Sequence, residues 1–339
     1  MNASAPMPPF PTAMSLLHSI YFNPIVGSLI RHGVPDHLDK GPLAASDLAQ
    51  RAGMDALALV RVLRALAAFG AFQEVSPGVF GNNAVSEMFR NRPGGLCNYA
   101  LYVSSEHYSK SAAALGHSVV TGQSATRHVF GETFWEHAKK HPKEGETFNR
   151  ALAELRGDEH RQIANAYEWK GVNAVVDVGG GIGSLLAAIL KNDPEIRGVL
   201  VEQPELLLDA DRALSERGVR DRCELRAANF FESIPATAGV WTLCQVLHDW
   251  PDAQCLEILR RCREAMRRTD RLLVIEMLTI PCEPNAQVGL LDMIMLMYFG
   301  EARQRTVEEY RHLFRSTGFA IARVLPTAGA FSIVEASPI

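Results

Sequence analysis

The sequence has no excess of positive charge: Lys and Arg total 34 against 38 Asp and Glu, for a net charge of −4. That balance removes the overall electrostatic case for a nucleic-acid or anionic-membrane partner. There is no Cys-x-x-Cys among Cys97, Cys223, Cys244, Cys255, Cys262 and Cys282, so no metal spacing is seen and no metal is expected. The thiols read as reduced, in a cytoplasmic protein. No apolar run of membrane-spanning length is expected, because Leu290 to Phe299 is short and contains Asp292. The first ten residues hold no basic region followed by an apolar core, so no secretory signal is expected. Gly-Lys-Ser/Thr is missing too, which excludes a P-loop phosphate cradle.

What is present centres on Val175-Val176-Asp177-Val178-Gly179-Gly180-Gly181-Ile182-Gly183-Ser184. An apolar run, a glycine-dense turn and an amphipathic run read as strand, turn and helix, the opening of a nucleotide-type binding half. Glycines 179, 181 and 183 allow positive φ and close approach of a ligand to the backbone. A second apolar run ends in Glu202, whose carboxylate could accept both hydroxyls of a ribose. A dinucleotide fingerprint would place the third glycine one position later, so a phosphate-free, ribose-bearing cofactor such as S-adenosylmethionine fits better.

With 339 residues, 47% of them hydrophobic, the chain suggests two domains or one large one. Residues 1 to about 11 are Pro-rich and expected to be poorly ordered. Thr12 to Arg31 has mostly helical apolar spacing, interrupted at Pro24. Ser46 is a candidate cap for a helix stopping at Gly53, and Asp55 for one over Ala56 to Phe69. Extended pieces over 71–75 and 79–81 flank Ser76-Pro77-Gly78, a good turn. Helix, helix and hairpin form a winged-helix pattern. Its second helix carries only Arg61 and Arg64 as bases, so a packing or dimerisation module is preferred to DNA binding. Residues 12–100 are assigned to this domain and 101–170 to a helical linker region contributing to a substrate pocket.

From 171 to 339 the period changes. Strands over 174–178, 198–202, 223–227, 240–247 and 271–276 alternate with helices, which argues an α/β, doubly wound, mostly parallel Rossmann-like sheet. Thr306 to Glu309 is a capping box, and a terminal hairpin is expected over 319–336. Ligands of such sheets bind beyond the carboxyl ends of the strands. The fourth strand runs into His248-Asp249 and the fifth ends in Glu276, so topology places the imidazole near a carboxylate. That is half of a general-base pair. Asp249 has about equal claims to capping the next helix and to supporting catalysis.

The stretch from Asp177 to Thr306 resembles the S-adenosylmethionine-dependent small-molecule O-methyltransferases of the caffeate, hydroxyindole and bacterial natural-product type. The matching pieces are Asp177 to Ser184, Phe230-Phe231-Glu232, Val246 to Trp250, Leu273 to Glu276, and Leu291-Asp292 leading to Arg305-Thr306. The winged-helix region resembles that family's dimerisation domain and implies a homodimer. The resemblance implies that Asp177, Gly179, Gly181, Gly183, Glu202, Asn229, Phe230, Phe231 and Cys244 bind the cofactor. It implies that His248 deprotonates an acceptor hydroxyl, with Glu276 orienting it and Asp249 and Gln304 beside it. Phe148, Leu152, Met295, Tyr298 and Phe299 would lie against a flat aromatic or polyketide-like acceptor.

Three positions depart from that pattern. Ala228-Asn229 stands where Gly-Asp is usual, Cys244-Gln245 where Lys-Arg is frequent, and Gln304 where a second Glu often flanks the histidine. Two other readings follow. One is a repurposed fold that uses the bound sulfonium in decarboxylation, hydroxylation or a pericyclic step. The other is a winged-helix regulator that senses S-adenosylmethionine.

Overall fold

A computed structural model describes residues 9–156 and 158–339, which form two compact units. The first comprises residues up to 113 together with 135–157, and the second comprises 114–134 together with 158–339. The helical stretch 101–170 is thus shared between them.

The first unit opens with helices Pro9–His18 and Phe22–Arg31, joined by a 3-10 turn at Ser19–Tyr21. The interruption falls at this turn, not at Pro24. Pro24 sits in the first turn of the second helix, where no backbone N–H has an intrahelical partner to lose. Residues 1–8, expected to be poorly ordered, lie outside the described residues. Contrary to expectation, Pro9–Arg31 forms one helical run of 23 residues that is long and apolar enough to cross a membrane by length and composition. Phe10, Leu16, Leu17, Ile20 and Tyr21 along it are exposed.

Helices Ala45–Ala52 and Ala56–Ala68 pack through Leu48, Leu59, Leu63 and Leu66, all buried. Asp55 caps the second by accepting from Ala58 N at 2.8 Å. Ser46 caps nothing: the helix begins two residues earlier than that cap implies, with Ala44 at its N-cap, and Ser46 bonds Asp47 instead. Strands β1 (Leu43–Ala44), β2 (Gln73–Ser76) and β3 (Val79–Gly81) form the wing in the order β1-β3-β2. β2 begins at Gln73, not 71, because Phe72 takes φ 64° to bury its ring and breaks the extended backbone.

The second unit holds a seven-stranded sheet of β4 (Ala174–Val178), β5 (Arg197–Glu202), β6 (Cys223–Ala227), β7 (Val240–Cys244), β8 (Arg271–Met277), β9 (Phe319–Pro326) and β10 (Phe331–Pro338). Its order is β6-β5-β4-β7-β8-β10-β9. The first five strands in that order are parallel, and the terminal hairpin adds antiparallel to β8. Alternate side chains of β4 enter opposite cores: Val175 packs with Leu186, Ile189 and Leu190, whereas Val176 and Val178 pack with Trp241, Ile258 and Leu259. The chain leaves β4 toward β5 on one side and returns to β7 on the other. This makes the carboxyl end of β4 the switch point where an open sheet forms its ligand crevice.

The glycine turn sits at that point. Gly179, Gly181 and Gly183 take φ of 67°, 58° and 74°, a region costly for any side chain with a Cβ. Gly180 is needed for space: a Cβ there would lie 2.3 Å from Asp177 Oδ2 and 2.7 Å from Leu200 Cδ1. Gly180→Ala should therefore destabilise the second unit by about 1–3 kcal/mol through overpacking. Urea unfolding reads the change as a lowered midpoint, and an unchanged midpoint would refute the close packing.

Candidate active site

β7 ends at Cys244, three residues earlier than the apolar run implies. Gln245 takes φ 53°, which breaks the strand, and its N–H reaches back to Ile275 O at 3.0 Å. The 3-10 turn Leu247–Asp249 then carries the imidazole over the end of the sheet. β7 and β8 are parallel neighbours with Cys244 opposite Ile275, which brings Glu276 under this turn.

Glu276 is fully buried and holds the turn by its backbone. Its Oε1 accepts from Leu247 N at 3.1 Å and from His248 N at 3.3 Å. Its Oε2 stands 3.6 Å from His248 Nδ1. The nearer partner of Nδ1 is the Gln304 side-chain amide, at 2.7 Å. Glu276 thus hydrogen-bonds the main chain and reaches the ring at ion-pair distance, while Gln304 makes the shorter contact with the imidazole. The other ring nitrogen, Nε2, lies 3.3 Å from Asp249 Oδ1. Asp249 does not occupy the N-cap of helix Asp252–Ala265, where Pro251 stands.

Gln304 is placed by both its neighbours in sequence and a distant helix. Its N–H donates to Asp292 Oδ1 at 2.7 Å, tying it to helix Ala286–Phe299. Two residues on, Thr306 and Glu309 close the capping box of helix Val307–Arg315. Between them, Arg305 is fully buried, and its guanidinium donates to Leu247 O at 2.8 Å and Trp250 O at 2.7 Å. It also pairs with Asp252 at 2.8 Å. Sequence reasoning matched Arg305 to a motif but assigned it no role. A guanidinium can satisfy several carbonyls at once from a fixed fork, which suits it to hold an irregular turn.

At the switch point, Glu202 Oε2 accepts from Gly181 N at 2.9 Å and Oε1 from Gln203 N at 2.7 Å. Burial raises its pKa, and these two N–H groups oppose the rise. Each oxygen keeps a lone pair for a further donor. A Cβ at Gly181 would meet no atom within 4 Å, so the turn faces open space beside this carboxylate. Phe230 lies against Gly179, and Phe230, Phe231 and Trp250 form an edge-to-face cluster, with Phe231 and Trp250 centroids 4.8 Å apart. Asn229 closes its own turn, accepting from Phe231 N at 3.1 Å and donating to Glu232 at 3.0 Å. Cys244, half-buried, packs on the core beside β4. These groups fit a ribose-bearing, aromatic-faced cofactor.

Asp177 differs from the rest of the expected cofactor set. It is fully buried beneath Gly180, and its Oδ1 accepts from Thr242 Oγ1 at 2.7 Å. Burial pushes its pKa up to about 6. It therefore props the turn from below. Thr242 was missed, although a hydroxyl within the fully buried run Val240 to Leu243 was the available signal.

Of the expected acceptor contacts, Met295 and Tyr298 are buried and Phe299 is half-buried on helix Ala286–Phe299. Phe134 joins them, 4.5 Å from the Tyr298 ring and 6.0 Å from that of Phe299. Ser124 Oγ anchors the helix end through Tyr298 O at 2.7 Å. Phe148 and Leu152 belong to the first unit, where Phe148 packs on Tyr102 at 5.2 Å.

The family model of an O-methyltransferase domain matches residues 113–320. The chain belongs to the O-methyltransferase family. A model of the family's dimerisation domain matches residues 14–92. Phenazine O-methyltransferase PhzM of Lysobacter antibioticus is 38% identical over 308 residues, covering 91% of this chain and 90% of the relative. The structure of the mitomycin 7-O-methyltransferase MmcR superposes with a TM-score of 0.91 at 34% identity, covering 97% of this chain and 98% of that one. NcsB1, an O-methyltransferase from neocarzinostatin biosynthesis solved with S-adenosylmethionine and 2-hydroxy-5-methyl naphthoic acid, superposes with a TM-score of 0.82 at 30% identity. There 95% of this chain and 98% of that one are covered. The α/β sheet, the amino-terminal dimerisation domain and the class of enzyme, an S-adenosylmethionine-dependent O-methyltransferase, agree with the sequence reading.

The burial of Glu276 in this O-methyltransferase carries a pH signature. Burial, helped by the charge of Asp249, pushes its pKa up to about 8 from an ordinary 4.5. The folded state keeps a proton that the unfolded chain has lost, so this group's contribution to stability is largest below pH 4.5 and falls as pH rises toward about 8. Asp177 acts in the same direction over the lower window, up to about 6. Glu276→Gln should therefore gain stability relative to the wild type as pH is raised from about 5 to 8. Denaturant midpoints across that range test it, and parallel curves for the two proteins would refute the neutral buried acid.

Proposed function

We propose that His248 is the general base for methyl transfer from S-adenosylmethionine to a hydroxyl of a small aromatic or polyketide-like acceptor. The observation that carries this reading is the placement of the imidazole at the switch-point end of the sheet. Its main chain is pinned by Glu276, its Nδ1 is engaged by Gln304, and its Nε2, 3.3 Å from Asp249 Oδ1, is the nitrogen we assign to exchange a proton with an acceptor. The acceptor class is supported by the apolar, aromatic character of Met295, Tyr298, Phe299 and Phe134, and by the naphthoic acid bound in NcsB1. Phe148 and Leu152 are assigned to the acceptor on the family resemblance.

Gly179, Gly181, Gly183 and Glu202 would hold the cofactor's ribose end, Phe230, Phe231 and Asn229 its base, and Cys244 would border it. When bound, the cofactor supplies a methyl group already activated on a sulfonium. The protein's own task is then to align the acceptor oxygen, exclude water and remove a proton. An imidazole does this for a phenol at neutral pH, and such assistance is worth roughly a hundred- to ten-thousand-fold. His248→Ala should retain cofactor binding in calorimetry while transfer to a phenol un-ionised at the assay pH falls by about 10²-fold or more. Unaltered transfer would remove His248 from the mechanism.

The same reading makes the enzyme a cytoplasmic homodimer joined through its dimerisation domain. The exposed Leu16, Leu17, Ile20 and Tyr21 give the run Pro9–Arg31 an apolar surface that a second copy would cover. Placing glutamates at Leu17 and Ile20 should shift the mass measured by light scattering from two chains to one. A dimer unchanged by both substitutions would refute this interface.

A further inference from the structure

We propose that Gln304 makes His248 a weak base in this enzyme and so restricts it to acceptors with acidic hydroxyls: phenols or enols conjugated to an electron-withdrawing carbonyl, quinone or ring nitrogen. The inference rests on the general-base reading above and names the acceptor class for that site.

Gln304 Nε2 stands 2.7 Å from His248 Nδ1, while its Oε1 is buried with no partner among the described residues. In this orientation the amide donates, so Nδ1 carries the lone pair and the ring proton sits on Nε2, facing Asp249 Oδ1 at 3.3 Å. The hydrogen-bond chain from Gln304 through the ring to Asp249 is self-consistent, and it places a proton on the nitrogen that must accept one. Turning the amide by half a revolution exchanges its N and O with little change of shape. Oε1 would then accept from Nδ1–H, and Nε2 would carry the lone pair. A carboxylate at 304 would support only this second, competent tautomer. A glutamine supports both.

Charge acts in the same direction. A neutral amide stabilises the imidazolium less than a carboxylate would. Glu276, the next group on the Nδ1 side, is 3.6 Å away and spends Oε1 on two backbone N–H groups. Burial holds it largely protonated at neutral pH, with a pKa of about 8. Tyr310, also buried, interacts electrostatically with Glu276. Cys255 bonds Leu247 O, and the Arg305 cation is paired with Asp252. Asp292 accepts from the Gln304 backbone. Asp249 Oδ1 stands 3.3 Å from Nε2, where the acceptor hydroxyl must enter. For an un-ionised acceptor the O–H proton must pass to Nε2. The oxygen pair forms the new O–C bond, and the S–C pair stays on sulfur. For an acceptor already ionised the proton has gone to solvent, and the same bonds form and break without the base.

The test is a series of phenols of matched size and graded acidity, assayed at one pH with labelled methyl donor for wild type, Gln304→Glu and His248→Ala. Wild-type kcat/KM should rise as acceptor pKa falls, and level off once the phenol is ionised at the assay pH. Gln304→Glu should raise transfer to the least acidic phenols by about tenfold or more, with little effect on the ionised ones. His248→Ala should lose about 10²-fold on un-ionised phenols and less than about tenfold on ionised ones. A wild-type rate independent of acceptor acidity overturns the inference and leaves the methyltransferase reading standing. So does an equal loss across the series in His248→Ala, a readout that holds even if Gln304→Glu fails to fold. Absence of transfer to every phenol, with S-adenosylmethionine bound in calorimetry, overturns both.

Discussion

The buried Arg305 guanidinium is the constraint on which the active site depends. The segment from Gln245 to Pro251 is irregular backbone with a left-handed residue at its start, and its own turn is closed by the long bonds from Asp249 N to Val246 O and from Trp250 N to Leu247 O, each 3.3 Å. A buried carbonyl without a partner costs about 1–3 kcal/mol. Arg305 satisfies Leu247 O and Trp250 O together, and the half-exposed Asp252 balances its charge. Glu276 does the complementary work, accepting from the two N–H groups at Leu247 and His248. Acceptors and donors of one short turn are thus met from two sides, and the imidazole has little freedom left. Arg305 also belongs to the segment that delivers Gln304, so the group holding the turn and the group meeting the ring move together.

A related economy governs the cofactor end. Asp177 lies below the glycine turn and Glu202 beside it, both carboxylates buried and both bonded to groups of the sheet or the turn. Burial raises the pKa of each, a desolvation cost borne by Asp177 in supporting the turn and by Glu202 in presenting an acceptor beside it. The glycines matter for the same reason. They let the backbone N–H of Gly181 face Glu202 while leaving the outer surface of the turn open.

Much of this was legible in the chain. The strand and helix order of the second unit, the glycine turn, the Asp55 cap, the Thr306 capping box and the terminal hairpin all follow from local chemistry, and local chemistry is written in consecutive residues. Parallel order alone placed His248 near Glu276. What misled was also local: Ser46 has the composition of a cap, and Val246-Leu247 the composition of a continuing strand. Tertiary contacts outweighed both, through an earlier helix start and through the turn of Gln245 toward Ile275.

The sequence by itself determined the family, the fold and the set of groups available for chemistry, because periodicity, glycine placement and motif spacing act over short range. Only the tertiary structure decided their pairing. It gave Nδ1 of His248 to Gln304, gave Glu276 to the backbone, sent Asp177 beneath the turn, and made Arg305 the clamp. Those pairings join residues distant in the chain, such as Gln304 and His248, whose separation no local pattern can encode.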